Sequence, residues 1–385
     1  MSYMPVVLHR MMLFALLSGI FFASANVDAS GFDPVPVYAV FPPLKHHISA
    51  DEALATGHVL DETYAMAAPA SRSWHIAFLF PHIKDPYWIG CSYGVISEAR
   101  RLGVAVDIFP AEGYDDLVGQ LRRMDEAIAS KYDAIVISPI SQTADNASIA
   151  RARAHGIPVF ELANDSNSDD LTIKITSSLK SMGGDATRWL IRDAQKRGLK
   201  TVNVALLPGP VDAGWVKGEV EGTLEAARHA PIKVNIVDIR YGDSDLIGQS
   251  QLASALLARH GKTLDYIIGC SGCAPAAVLP VKMSGLSGKV RIVAYDLTRE
   301  VAEFVRRGEI VASADTKAVS QARVAINAAV NFLEKRELEM PHTRLVKLGM
   351  LDRSNYAGYN FDVSIAPKGY EPVLSYVPIR PPMPK

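Results

Sequence analysis

Short apolar runs alternate with helix-period stretches along most of this chain, and that alternation restricts the fold more than any other feature. The run Ile76-Ala77-Phe78-Leu79-Phe80 is apolar at every position, as a strand buried on both faces of a parallel sheet must be. Asp85-Pro86 then reads as an N-cap followed by proline at the first helical position. Apolar and small residues recur at helical spacing through Ile89, Val95, Ile96 and Ala99, and Gly103 ends the helix. The loop between this strand and helix carries Asp85, Tyr87 and Trp88. In open α/β sheets, ligands bind just past the carboxyl ends of strands. Two adjacent aromatics there have no evident core to fill, so they are read as the first wall of a binding site.

The pattern continues as strand Val104–Phe109, helix Asp115–Ser130, strand Ala134–Ser138, helix Thr143–His155 and strand Ile157–Glu161. Repeated βαβ units give a doubly wound parallel sheet. The polar, turn-rich segment Asn164–Asp170 is read as a crossing to a second lobe. That lobe is expected to hold strands Ile173–Ile175, Thr201–Leu207, Lys233–Arg240, Tyr266–Ile268, Val290–Ala294 and Ile310–Ala314. Between them lie helices Met182–Arg197, Val216–Arg228, Asp245–His260, Ala276–Lys282 and Arg299–Arg307. A long helix, Thr316–Arg336, returns to the first lobe. The expected division is 72–163 plus 316–342 for the N-terminal lobe and 164–315 plus 343–385 for the C-terminal lobe and tail. Phe80 to Trp88 and Leu207 to Trp215 are spaced alike, so the halves share a plan of strand, aromatic loop and helix without a residue repeat.

At 385 residues the chain is long enough for two cores. Residues 1–29 read as a secretory signal: His9-Arg10, then the apolar stretch Met11–Ala23, then small-residue cleavage sites at Ala23-Ser24-Ala25 and Val27-Asp28-Ala29. An exported, periplasmic protein follows. Residues 30–71 hold an extended stretch, Val35–Val40, and are read as an extension packed outside the lobes. His46-His47 lacks the carboxylate or cysteine company of a metal site. With a net charge of -1, nothing favours nucleic acid. Cys270-Ser271-Gly272-Cys273 can mean redox chemistry, half a zinc site or a tight disulfide. An exported protein favours a local disulfide or two inert thiols. Cys91 falls on the first helix.

The one G-x-S-x-G match, Gly90 to Gly94, falls inside the expected helix rather than at a strand-to-helix turn, and no H-E-x-x-H, P-loop or dinucleotide fingerprint is found, so neither catalysis nor a cofactor is expected. Binding fits better. Tyr87, Trp88, Tyr114 and Trp215 all follow expected strands, and Tyr295-Asp296 follows Val290–Ala294. Ring faces attract a methylated ammonium by about 0.5–2 kcal/mol each. Asp85, Asp212 or Asp296 can answer its charge, although Asp85 also suits a helix cap.

Residues 72–340 resemble the type I periplasmic binding proteins, the family of the ribose-binding proteins. KDPYW before a helix and LPGPVDAGWVKG resemble the members that sense trimethylamine N-oxide for a membrane histidine kinase. The resemblance implies two Rossmann-like lobes joined by three crossings, a hinged cleft and no catalysis. It implies Tyr87-Trp88 and Asp296 at positions that sugar-binding relatives use. Tyr114 departs from their pattern and favours an aromatic box of Trp88, Tyr87, Tyr114 and Trp215. The implied partners are trimethylamine N-oxide and the kinase's periplasmic sensor domain, with residues 30–71 a candidate for that contact. The alternative is a solute-binding protein of an ABC transporter for a sugar or other small solute.

Overall fold

A computed structural model describes residues 34–45, 48–211, 213–337 and 339–379. The signal segment, His46-His47 and Asp212 lie outside the described residues.

In chain order the elements begin with β1 (Val35–Phe41), α1 (Ala50–Thr56), β2 (His58–Tyr64), β3 (His75–Phe80), α2 (Pro86–Leu102), β4 (Ala105–Pro110) and α3 (Leu117–Ala129). Next come β5 (Ala134–Ile137), α4 (Asn146–Ala154), β6 (Val159–Leu162), β7 (Ile173–Thr176), α5 (Leu179–Lys196), β8 (Thr201–Gly209) and α6 (Gly214–Arg228). The remainder is β9 (Lys233–Tyr241), α7 (Leu246–His260), β10 (Tyr266–Gly269), α8 (Cys273–Met283), β11 (Arg291–Ala294), α9 (Arg299–Arg307), β12 (Ala312–Asp315), α10 (Ala318–Leu333), β13 (Thr343–Val346), β14 (Gly349–Asp352) and β15 (Ser375–Tyr376).

The strands form two sheets, ordered β15-β4-β3-β5-β6-β7-β13-β1-β2 and β14-β12-β11-β10-β8-β9. Both are parallel at their centres and antiparallel only toward their margins. Helices cover both faces of each sheet. In the first lobe, α2 and α10 pack on one face and α3 and α4 on the other. In the second, α7, α8 and α9 lie opposite α5. All but the first residue of β3 are fully buried, as its unbroken apolar run requires. Asp85 caps α2 by accepting the Trp88 N–H at 3.1 Å, and Gly103 closes the helix in the left-handed region at φ 71°.

Three sequence expectations need correction. The strand at Ile173 belongs to the first sheet, between β6 and β13, so the chain crosses at Ser177 rather than within 164–170. The polar, turn-rich segment 164–170 is therefore not the crossing. Several of its residues are instead buried around Lys174, whose ammonium lies 2.8 Å from Asp165 and 3.0 Å from the Ile48 carbonyl. Asp165 also accepts the Ala50 N–H at 2.7 Å. A buried charge must be paired and hydrogen-bonded, and this one recruits the N-terminal segment to do so.

Residues 30–71 are accordingly not an outer wrapping where described. β1 and β2 extend the first sheet, with β2 rather than β1 at its margin. The tail does not stay on the second lobe either. β13 joins the first sheet, β14 the second, and β15 returns to pair with β4. The chain thus passes between lobes at Ser177, Thr316 and Lys347-Leu348, and a fourth time between β14 and β15. The Ser177 hydroxyl contacts the carbonyl oxygens of Thr316 at 3.1 Å and Val346 at 2.8 Å, bringing the first three crossings together.

α5 and α6 cross backbone to backbone through glycines. A Cβ on Gly222 would collide with the Lys180 carbonyl oxygen, and one on Gly183 with that of Glu219. Gly222→Ala is therefore expected to destabilise the protein by about 1–3 kcal/mol. Gly358→Ala, whose Cβ meets nothing within 4 Å, should stay within about 0.5 kcal/mol. Equilibrium urea denaturation of the two variants checks this.

Candidate functional site

β3 and β8 each open a parallel series, with the next strand on one side and the third on the other. The crevice beside such a strand is a topological switch point, where the following loop faces open space. The loop after β3 carries Asp85, Tyr87 and Trp88; the loop after β8 leads to Trp215. The two crevices face one another across a cavity of about 120 Å³. On a scale of ~30 Å³ for one water in the liquid, this admits a ligand of a few heavy atoms.

Trp88 is 2% exposed and packs against Phe80, with ring centroids 5.1 Å apart, and edge-on to Tyr87 at 5.2 Å. Tyr114, from the loop after β4, meets Trp215 from the opposite lobe at 6.4 Å. Gly209 makes room for that indole. Its φ is 109°, and a Cβ there would sit 2.6 Å from the Trp215 ring. The indole Nε1 of Trp215 is buried and interacts with the Tyr114 hydroxyl. The Tyr114 hydroxyl lies 3.3 Å from the Asn164 amide nitrogen, and burial raises its pKa.

Six of the seven sequence-predicted residues, Asp85, Tyr87, Trp88, Tyr114, Trp215 and Asp296, line this cavity. Tyr295 does not. Side chains alternate along β11, so Tyr295 follows Val293 toward α5, whereas Ile292 and Ala294 face α8 and α9. Its hydroxyl is 2.8 Å from that of Thr223, inside the core.

The acids divide by role. Asp85 caps α2 and lies 3.6 Å from His82; burial drives the carboxyl up and the imidazole down. Asp296 accepts the Thr316 N–H at 2.9 Å and the Leu297 N–H at 2.8 Å, holding the second crossing. Burial, reinforced by the charge of Asp315, pushes Asp296 up to about 7. Thr316 itself lines the cavity, and the Tyr87 hydroxyl interacts with its side chain.

Sequence reasoning missed Glu219. It stands one turn beyond Trp215 on α6, so both side chains project from one helix face. That i,i+4 spacing was the available signal. Glu219 is 2% exposed, and one carboxyl oxygen has no partner. Leu179, Met182 and Ser244 complete the wall, with Ser271 between the cysteines. Cys270 and Cys273 form a buried disulfide where α8 begins. No lysine or arginine lines the cavity among the described residues. No group of residues suited to a metal ion occurs among them either, and no described helix is long and apolar enough to cross a membrane.

Two lobes of this topology with a ligand-sized cleft define a bilobal binding protein. The chain belongs to the periplasmic binding protein domain family, whose model matches residues 76–337. It is 29% identical to the periplasmic protein TorT of Escherichia coli (strain K12) over 333 residues, 85% of this chain and 93% of that protein. An ABC transporter solute binding protein from Bradyrhizobium sp. BTAi1, crystallised with bound BIS-TRIS, superposes with a TM-score of 0.77. It is 30% identical, over 90% of this chain and 99% of the other. TorT in a complex with the TorS sensor domain in the presence of TMAO has the same fold. Its TM-score is 0.70 at 23% identity, over 78% of this chain and all of the other.

The pKa of Asp296 fixes a sign. A carboxyl whose folded pKa lies above its ordinary 3.8 contributes stability below that value and loses it as pH rises toward about 7. Asp296→Asn does not titrate. Its melting temperature relative to wild type should therefore rise between pH 5 and pH 8 in scanning calorimetry. An unchanged difference would mean that Asp296 ionises normally.

Proposed function

We propose that this chain is a periplasmic receptor that binds trimethylamine N-oxide between its lobes. In this reading it has no catalytic activity and reports to the periplasmic sensor domain of a membrane histidine kinase. The observation that carries the reading is the pair Tyr114 and Trp215, facing one another from opposite lobes in a cavity lined by no described lysine or arginine. Trimethylamine N-oxide presents three methyl groups bearing a spread positive charge and one strong acceptor oxygen. Tyr87, Trp88, Tyr114 and Trp215 offer ring faces to the methyls. The Nε1–H of Trp215 and the tyrosine hydroxyls are donors for the oxygen. Asp85 and Asp296 stand in the same wall. The likeness to TorT supports the same ligand class and the same kind of partner.

Closure matters to signalling only through differential affinity. A ligand shifts the lobes toward the closed form by as much as it binds that form more tightly. Walls from both lobes meet that condition. The kinase would then read the altered surface, with the N-terminal residues before β3 a candidate for the contact. An ABC-transporter role is the second reading, favoured by the likeness to the Bradyrhizobium solute binding protein. The two readings share a fold and differ in partner.

Isothermal titration of the mature protein with trimethylamine N-oxide tests the ligand, with betaine, trimethylamine and ribose as controls. Saturable heat with the N-oxide alone is expected; heat with ribose alone would move the protein to sugar transport. Trp215→Ala should weaken binding about 5–30-fold, the equivalent of ~1–2 kcal/mol for one ring. Unchanged affinity in that variant would overturn the two-walled box.

A further inference from the structure

Among the described residues that line the cavity, Glu219 is the one buried carboxyl with no structural task, Glu300 being exposed. Asp85 caps a helix and Asp296 holds the crossing at Thr316. Glu219 has no ion pair among the described residues, and its partnerless oxygen is buried. The charged and titratable groups around it would not favour a carboxylate. Asp296 comes from the loop after β11, and Tyr295 lies beneath with its hydroxyl on Thr223. α5 contributes Met182 and Gly183, and Asp85 and Glu300 line other parts of the cavity. An isolated carboxylate so far from water and beside another acid is costly, whereas a neutral carboxyl carries a spare O–H donor.

We propose that Glu219 is held protonated and donates its hydrogen bond to the acceptor oxygen of the ligand, making it the residue that selects an N-oxide over the parent amine. This rests on the ligand reading above. The ring faces do not by themselves select the N-oxide, because they attract any methylated nitrogen centre, and the trimethylammonium cation present at pH 6 at least as strongly. A donor held in a dry site discriminates more sharply, since a ligand without an oxygen leaves it unpaired. The direction of the Glu219 pKa agrees: burial first, and the charge of Asp296 second, raise it well above the ordinary carboxylate value.

The binding linkage has a definite sign. A ligand that takes only the protonated form binds with constant affinity while Glu219 keeps its proton. It then weakens up to tenfold per pH unit once the free protein loses it. As pH is raised above 6, wild-type affinity for trimethylamine N-oxide should fall in step with loss of the Glu219 proton, read as its protonated-carboxyl band. Glu219→Gln, whose amide still donates, should bind within about threefold of wild type at pH 6 and keep only the pH dependence that Asp296 causes. Glu219→Leu should lose at least tenfold at pH 6 while selecting less well between the N-oxide and trimethylamine. Difference infrared spectra should contain a protonated-carboxyl stretch that shifts when trimethylamine N-oxide is added and is missing from Glu219→Gln.

A pH dependence identical in wild type and Glu219→Gln would belong to Asp296 and overturn the proposal. So would wild-type affinity in Glu219→Leu, or the absence of the protonated-carboxyl band. In those cases wild type still binds the N-oxide, and the ligand reading stands. If wild type shows no heat with the N-oxide at any pH, the ligand reading fails and this inference falls with it.

Discussion

One hydroxyl holds the connection between the lobes. Ser177 sits at the first crossing and bonds the backbone of the second, at Thr316, and of the third, at Val346. Thr316 is also bound by Asp296, and its carbonyl accepts from the Gln321 amide at 2.8 Å. Its side chain faces Tyr87 in the cavity. The junction about which the lobes would turn is therefore part of the wall that would touch a ligand. In such an arrangement, contact with the ligand and the angle between the lobes are mechanically linked without any long chain of intermediates.

The cavity inherits its chemistry from topology. Both aromatic loops follow the first strand of a parallel series, where neighbouring strands depart to opposite sides and leave a crevice. The β3 loop delivers Tyr87 and Trp88, and the β8 loop delivers Trp215 with Glu219 a turn later. Rings from one lobe thus face a ring and a carboxyl from the other. The disulfide Cys270–Cys273 borders the same space, fixing the loop that offers Ser271. A covalent staple at this point suits a wall that must keep its shape.

Much of this was legible in the chain. Strands such as Ile76–Phe80 and Tyr266–Ile268 are apolar at every position because helices cover both faces of their sheets, so period and composition alone disclosed them. Trp88 and Trp215 were singled out as rings directly after strands and both line the cavity, although Trp88 also enters the core against Phe80, contrary to the expectation that no core awaits it. Tyr295 obeyed the same rule and was misplaced. Its direction is set by the alternation along β11, and one residue of register separates cavity from core. Glu219 was overlooked because a glutamate on a helix ordinarily faces water, and only the packing of α6 against α5 shows that it does not.

The sequence by itself determined the element order from β3 to α10, the parallel α/β class and the loops that carry the aromatics, since these follow from local periodicity and caps. Tertiary structure alone decided where the chain crosses between lobes, which sheet takes β7, and that β1, β2 and β15 join the first sheet. Those choices depend on pairing between residues far apart in the chain. Lys174 is the clearest case: its charge can be buried only because Asp165 and the Ile48 carbonyl reach it. No local pattern records a partner more than a hundred residues away.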